Sequence, residues 1–510
     1  MQKQRLTAVY AAAMLRSIFA LILTLGMIGP VSAEDLVPTP DLILSGTLTG
    51  ADHQTYRELA FKVPARTKQI TVAFSYTGQA QKSVIDLGLR DPQRFRGWSG
   101  GNKSEFTLSE ASATPSYLPG PLPKGVWHLV LGVPNMRPKA EAAYEARIWF
   151  DRPAPSPAQP EALVWLRGDL HMHTAHSDGT CLSKAGKRVA CPVFRTLEAA
   201  AARGLDFISV TDHNTTSQAN SLKELAPYFD GLILIPGREI TTFQGHANLF
   251  GTEAPLDFRL GSKAVPDFAA LADQVQATGG LLSINHPAMP SGEVCMGCGW
   301  SLSSTDYGRV GAMEVVNGGG LAIAGGRADG LFSGIKAWEA ALNAGFRLTG
   351  IGGSDNHDPG LDPSKPSAIG VPTTVVGAQG RDGPSILEAI RLGHVFIDVD
   401  GSRTLGLRVS ARSGDRTVIM GDVLTVSPGA GVVITVAVAG LESPQIRFSG
   451  PLAEQIRAVA GTGAGEQKFE LDKISGPTWI RVDVLAPDGR LVLIGNPIYL
   501  KPAGPAGVAP

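Results

Sequence analysis

The sequence predicts an α/β core flanked on each side by a β domain. Three observations point there. Residues 41–150 and 402–500 alternate apolar and polar side chains in short runs broken by Gly- and Pro-rich turns. Residues 163–400 instead alternate short apolar strands with helix-like stretches, the pattern of βα units. The composition agrees, because 61 Gly and 36 Pro in 510 residues, with only 18% charged, suit loop-rich β domains around an α/β core. A chain of this length is expected to hold two to four domains.

The first 33 residues read as a signal peptide. Lys3, Arg5 and Arg16 give a basic start with no acid, Ser17 to Ile28 is a short apolar run, and Val31-Ser32-Ala33 is a small-residue cleavage signal before Glu34. The apolar run is short for a membrane span; an uncleaved anchor is the alternative. No later stretch predicts a span, so the mature chain is expected to be exported, periplasmic or secreted, and without a membrane segment. The formal charge is -1 and no long basic run stands out, which gives no sign of a dedicated nucleic-acid scaffold.

Residues 41–150 carry strand-like runs at Gln69 to Ser75, Ser83 to Leu89, Trp127 to Val133 and Tyr144 to Asp151, expected to form a β-sandwich. His53 and His128 have no ligand-like spacing there. Residues 151–162 read as a stiff Pro-rich linker. In residues 163–400 the expected strands after the first are Phe207 to Val210, Leu232 to Ile235, Leu281 to Ile284, Ala312 to Val316, Thr349 to Ile351 and Val395 to Ile397. The expected helices are Pro192 to Arg203, Asp267 to Thr278, Ile335 to Ala344 and Pro384 to Leu392, each ending near a Gly. Residues 402–500 return to alternation and predict a second sandwich, and 501–510 a flexible tail.

Four cysteines fit an oxidising compartment. Two local bridges, 181–191 and 295–298, are the favoured pairing, each pinning a loop; a four-cysteine zinc site and a thioredoxin-like redox pair are the alternatives.

The chemistry sits where predicted strands end. His171 and His173 follow the strand near Trp165 to Leu170; alternate side chains of an extended chain share a face, so both imidazoles can reach one ion. Asp178 follows in a Ser-Asp-Gly turn. Matching residues recur after later strands: Thr211-Asp212-His213, Glu239 with His246, His286-Pro287, and Ser354-Asp355-Asn356-His357. Carboxyl ends of strands in a βα barrel surround one mouth, so these distant residues can converge. The pooled set of candidate metal ligands is His171, His173, Asp178, His213, Glu239, His246, His286, Asp355 and His357. Nine such side chains exceed the needs of one tetrahedral ion and suit two or three divalent ions (Zn, Mn or Fe), with Glu239 bridging. His176 breaks the alternation and His394 lies outside every motif, so surface or structural roles are expected for them.

This series of motifs resembles the PHP (polymerase and histidinol phosphatase) superfamily over roughly residues 165–400. The exported form with flanking β domains is similar to its carbaryl-hydrolase-like branch. The resemblance implies a distorted seven-stranded (β/α) barrel with a two- or three-metal site. It implies that His171, His173, Glu239 and Asp355 hold one ion, that Glu239, His246 and His286 hold a second, and that Asp178, His213 and His357 hold a third. Asp178 stands where some relatives carry histidine.

The expected activity is hydrolysis of a small-molecule substrate by hydroxide generated at clustered ions. His213 or His357 would shuttle a proton, and Arg238 would grip a phosphate or carboxylate oxygen. Asp169, Asp212 and Asp358 are expected to orient imidazoles. A phosphoesterase for phosphomonoesters or small phosphodiesters, nucleotides included, is the favoured reading. A hydrolase of aryl carbamates, esters or amides is the alternative, suggested by Trp300, Phe243 and Trp338; a non-catalytic surface-binding protein is the third.

Overall fold

The structure is a computed structural model that describes residues 38–152, 162–293, 295–459 and 466–503. The expected signal peptide, most of the linker and most of the tail lie outside the described residues. Among the described residues no helix is long and apolar enough to cross a membrane.

Residues 42–150 form two four-stranded antiparallel sheets. One runs Leu42–Thr49, Glu141–Phe150, Gln69–Tyr76, Glu105–Ser109; the other runs Tyr56–Val63, Gly125–Asn135, Val84–Arg90, Phe95–Gly100. The period-2 pattern explains the layering, because Ile70, Val72 and Phe106 from one sheet meet Phe61, Leu87 and Trp127 from the other in one core.

Besides the small hairpin Thr180–Leu182 and Arg188–Ala190, the described residues of the central region contribute to two further sheets. Strands Ile233–Leu234, Phe207–Ile208 and Val164–Asp169 are parallel neighbours, and Thr373–Ala378 then pairs antiparallel with Val164–Asp169. The second sheet orders Gly237–Thr242, Gly245–Phe250, Leu281–Ile284, Ala312–Asn317 and Thr349–Gly353. A closed (β/α)7 barrel is therefore not evident among the described residues; the fold is mixed α/β with many sheets and few helices. The physical reason lies in the connections. Parallel neighbours need a crossover of a dozen or more residues, whereas only Phe243 and Gln244 separate Gly237–Thr242 from Gly245–Phe250, which forces an antiparallel hairpin. Isolated parallel bridges, His213 with Glu239 and Met172 with Asn356, join the two sheets where the site lies.

The expected helices form as Val193–Ala202, Phe268–Thr278, Ile335–Asn343 and Gly383–Leu392. Asp267 and Asp382 cap two of them by accepting from the amides of Ala270 and Ser385. Helices Gln218–Leu225 and Gly318–Ile323 were not expected from the sequence. Beyond residue 400, a five-stranded sheet packs over the strands Thr478–Leu485 and Leu491–Gly495. The latter pairs with Val395–Asp398 through Phe396 and Gly495, so one ten-stranded sheet carries strands from both sides of residue 400.

Candidate metal centre

Glu239 occupies the middle of the site. It follows the strand Ile233–Leu234, as expected, and itself lies on a further strand, Gly237–Thr242. The segment Thr211–Asn214 runs alongside, with the Glu239 amide donating to the Thr211 carbonyl at 3.1 Å and the Asn214 amide donating to the Glu239 carbonyl at 2.8 Å. Oε1 of Glu239 meets His171 Nε2 at 3.3 Å, His246 Nδ1 at 3.3 Å and His286 Nε2 at 3.5 Å. Oε2 meets His213 Nδ1 at 2.8 Å and His173 Nε2 at 3.6 Å.

Asp355 closes one side, with Oδ1 at 3.1 Å from His173 Nε2, 3.4 Å from His171 Nε2 and 3.7 Å from His357 Nδ1. Asp178 closes the other, with Oδ1 at 3.4 Å from His357 Nε2, 3.7 Å from His213 Nε2 and 3.9 Å from His173 Nδ1. The structure thus gathers all nine candidate ligands into one cluster. Groups within ligand reach of each other include His171-His173-Glu239 and His173-Asp178-His213-His357. The cluster is graded: His171, His173 and Glu239 form a buried floor, while the side chains of His213, His357 and Asp178 are 26%, 41% and 57% exposed and form the rim.

The donor set fits a divalent cation. Imidazole and carboxylate suit such ions, and His171 Nε2 and Glu239 Oε2 are buried without a hydrogen-bond partner although ligand-type atoms surround them. Buried polar atoms are ordinarily paired, so convergence of this kind marks a place for a cation. Burial works against ionising the Glu239 and Asp355 carboxyls, yet the His171 charge and the other imidazoles around them outweigh it and hold both well below the carboxylate range.

Strained backbone aims the ligands. His286 and Asp355 have φ of 27° and 52°, a left-handed region that non-Gly residues rarely adopt. The His286 amide is held there by Glu314, whose Oε2 accepts from it at 2.9 Å. Glu314 Oε1 also accepts from His171 Nδ1 at 3.0 Å, so this buried carboxylate fixes two ligands at once. Sequence reasoning missed it; the available signal was an acid inside the apolar strand Ala312–Asn317. Asn317 was missed as well, and its amide donates to Glu314 Oε2 at 3.0 Å and Asp355 Oδ2 at 3.2 Å. Asn285 likewise donates to Glu239 Oε1 at 2.8 Å.

Other expected roles are corrected. Arg238 is buried, and since alternate strand residues face opposite ways its guanidinium is turned from the Glu239 carboxylate and bonds the Ala254 carbonyl. It is not among the side chains of the cluster. Asp169 accepts from the amides of His171, Ser354 and Gly370 at 3.2, 3.0 and 2.7 Å, shaping backbone and not an imidazole. Asp212 takes the Thr174 amide and hydroxyl, both at 2.7 Å, and the Ser177 hydroxyl at 2.6 Å. Asp358 pairs with Arg188 at 3.0 Å. Trp338 is fully buried, its indole donating to the Leu348 carbonyl; Trp300 packs against Gly245 and is partly buried, and Phe243 is 92% exposed.

Cys181 and Cys191 are bonded, Cα to Cα 5.0 Å, in the hairpin after Asp178, and Cys295 and Cys298 are paired with Cα atoms 5.6 Å apart.

No protein-family model matches the chain, and no curated protein matches it. The chain is similar to the crystal structure of a two-domain protein from Bacteroides vulgatus ATCC 8482, described as containing a predicted PHP-like metal-dependent phosphoesterase. The identity is 19%, the match covers 68% of this chain and 97% of that one, and the TM-score is 0.35. A likeness at that level assigns neither fold nor activity.

Proposed function

We propose that this protein is an exported metal-dependent hydrolase of the PHP kind, with a phosphoesterase activity on phosphomonoesters or small phosphodiesters. The observation that carries the reading is Glu239, buried among five imidazoles with Asp355 and Asp178 on either side. His171, His173, Glu239 and Asp355 would hold one divalent ion, Glu239, His246 and His286 a second, and Asp178, His213 and His357 a third. Such ions, when bound, polarise the electrophile and lower the pKa of water. The chain supplies the rest. Glu314, Asn317 and Asn285 lock the ligand side chains, and the buried floor keeps solvent from the Glu239 carboxylate. His213 or His357, on the exposed rim, would hold or pass a proton to the leaving oxygen when not fully engaged by an ion.

Hydrolysis of an aryl carbamate or ester is the second reading. It is favoured by Phe243, exposed two residues before Gly245 and next to the loop that contacts His246, and by Arg238 facing away from the cluster. Turnover by protein loaded with manganese or zinc, on nitrophenyl phosphate, bis-nitrophenyl phosphate and a naphthyl carbamate, separates the two. The phosphoesterase reading expects hydrolysis of a phosphate ester that stops on chelation and returns with metal. Turnover of the carbamate alone overturns it in favour of the second reading.

A further inference from the structure

The segment Cys295-Met-Gly-Cys298 touches the ligand cluster from behind. His246 directs Nδ1 at Glu239 and Nε2 at the Met296 carbonyl, 3.3 Å away. His286 directs Nε2 at Glu239 and Nδ1 at the Cys298 carbonyl, 3.2 Å away. Two backbone carbonyls of one four-residue loop therefore accept from the outer nitrogens of two histidines, which fixes the ring orientation and leaves the inner nitrogens free to bind a cation. The loop also sits tightly on the hairpin that bears His246. At Gly297, with φ of 78°, a Cβ would collide with the Thr242 carbonyl and lie 2.9 Å from the Phe243 Cα. Cys298 is buried, with its sulfur within 4.8 Å of a nitrogen of each histidine, while Cys295 is partly exposed and marks the side from which a reductant would approach the pair.

We propose that the Cys295–Cys298 pair is a thiol-dependent positioning element: bonded, it holds the Met296 and Cys298 carbonyls against His246 and His286; reduced, it releases them and weakens cation binding at that end. The proposal rests on the metal-centre reading above. The step is an exchange with a dithiol. The S–S bond of the protein breaks, a disulfide forms in the reductant, and its two thiol protons end on the sulfurs of Cys295 and Cys298.

The test titrates the whole protein with manganese(II), reading free ion by electron paramagnetic resonance. It is run on the oxidised protein and on protein reduced with dithiothreitol that is then removed under argon. Alkylation and peptide mapping report which sulfurs are free. Reduction at 295 and 298 is expected to weaken binding about tenfold or more, in the range seen when a partner of a ligating histidine is lost. A Cys181→Ser/Cys191→Ser variant should respond in the same way. A Cys295→Ser/Cys298→Ser variant should bind weakly with or without reductant; should it fail to fold by circular dichroism, the wild-type comparison decides alone. Unchanged or tighter binding with both thiols mapped overturns the proposal, as does resistance of this pair to the dithiol. Failure of the oxidised protein to bind manganese at all overturns the metal-centre reading itself.

Discussion

Glu239 lies within 3.6 Å of five imidazoles, and replacing it with a neutral side chain would remove the carboxylate they converge on. Glu239→Ala is expected to remove bound metal, measured by elemental analysis, and to bring turnover to background; full metal content in the variant contradicts the bridging assignment. Glu314→Gln should act more mildly, weakening metal affinity by about 10–100-fold in a chelator competition while the fold survives, because it alters the partner of His171 and not a ligand. The rim adds a pH dependence. Burial pulls the His357 imidazole down, but the Asp178 hydrogen bond and the Asp355 and Asp178 charges overcome it and lift the group to about 9. In the metal-free protein that ring carries a proton at neutral pH, and an ion must displace it. Affinity should therefore rise as pH approaches 9, and metal uptake at pH 7 should release protons, seen as a dependence of calorimetric heat on buffer ionisation enthalpy. Uptake without proton release contradicts the assignment of His357 as a ligand.

At the scale of elements, the helix Ile335–Asn343 is fixed by Trp338. Its indole is fully buried, donates to the Leu348 carbonyl at 2.7 Å, and lies so close to Gly350 that a Cβ there would be 2.7 Å from the ring. The sequence suggested this tryptophan as part of an apolar surround; its work is packing under the strand Thr349–Gly353 that leads into Asp355. Trp338→Ala should cost about 3–5 kcal/mol by chemical denaturation, with metal stoichiometry retained in the folded fraction. The hairpin Gly237–Thr242 and Gly245–Phe250 matters differently. Its two-residue turn puts Glu239 and His246 on neighbouring strands, with Thr241 opposite His246.

At the scale of the molecule, one central helix is tied to the C-terminal strands by a largely buried ion cluster. Arg481 on the strand Thr478–Leu485 pairs with Asp483 at 3.0 Å and with Glu339 of the helix Ile335–Asn343 at 2.8 Å. The side chains of Arg481 and Asp483 are 1% and 0% exposed, so removing Arg481 leaves the buried Asp483 carboxylate with Arg447, 3.2 Å away, as its remaining cationic partner. Arg481→Ala is expected to destabilise by about 1–3 kcal/mol, less than for a fully uncompensated charge because Arg447 remains beside Asp483, read as a lower denaturation midpoint; an unchanged midpoint contradicts the buried-pair reading.

Much of this protein was legible in order along the chain. The alternation of residues 42–150 produced two sheets, four helices formed within a residue or two of their expected ends, and His171-x-His173 with the later strand-end motifs named the cluster that assembles. Periodicity and local motifs carry that information because they depend on residues near in sequence. What only the tertiary structure decided is relational. Strand direction at that point followed from the two-residue turn at Phe243-Gln244, which forces an antiparallel pair where the expected βα barrel has parallel neighbours. Arg238 and the three expected carboxylate orienters faced other partners, because the face a side chain takes and the donor it meets are set by packing. Glu314, Asn317 and the carbonyls of the Cys295–Cys298 loop hold the ligands from elements far along the chain, and hydrogen bonds of that range leave no spacing in the sequence to read.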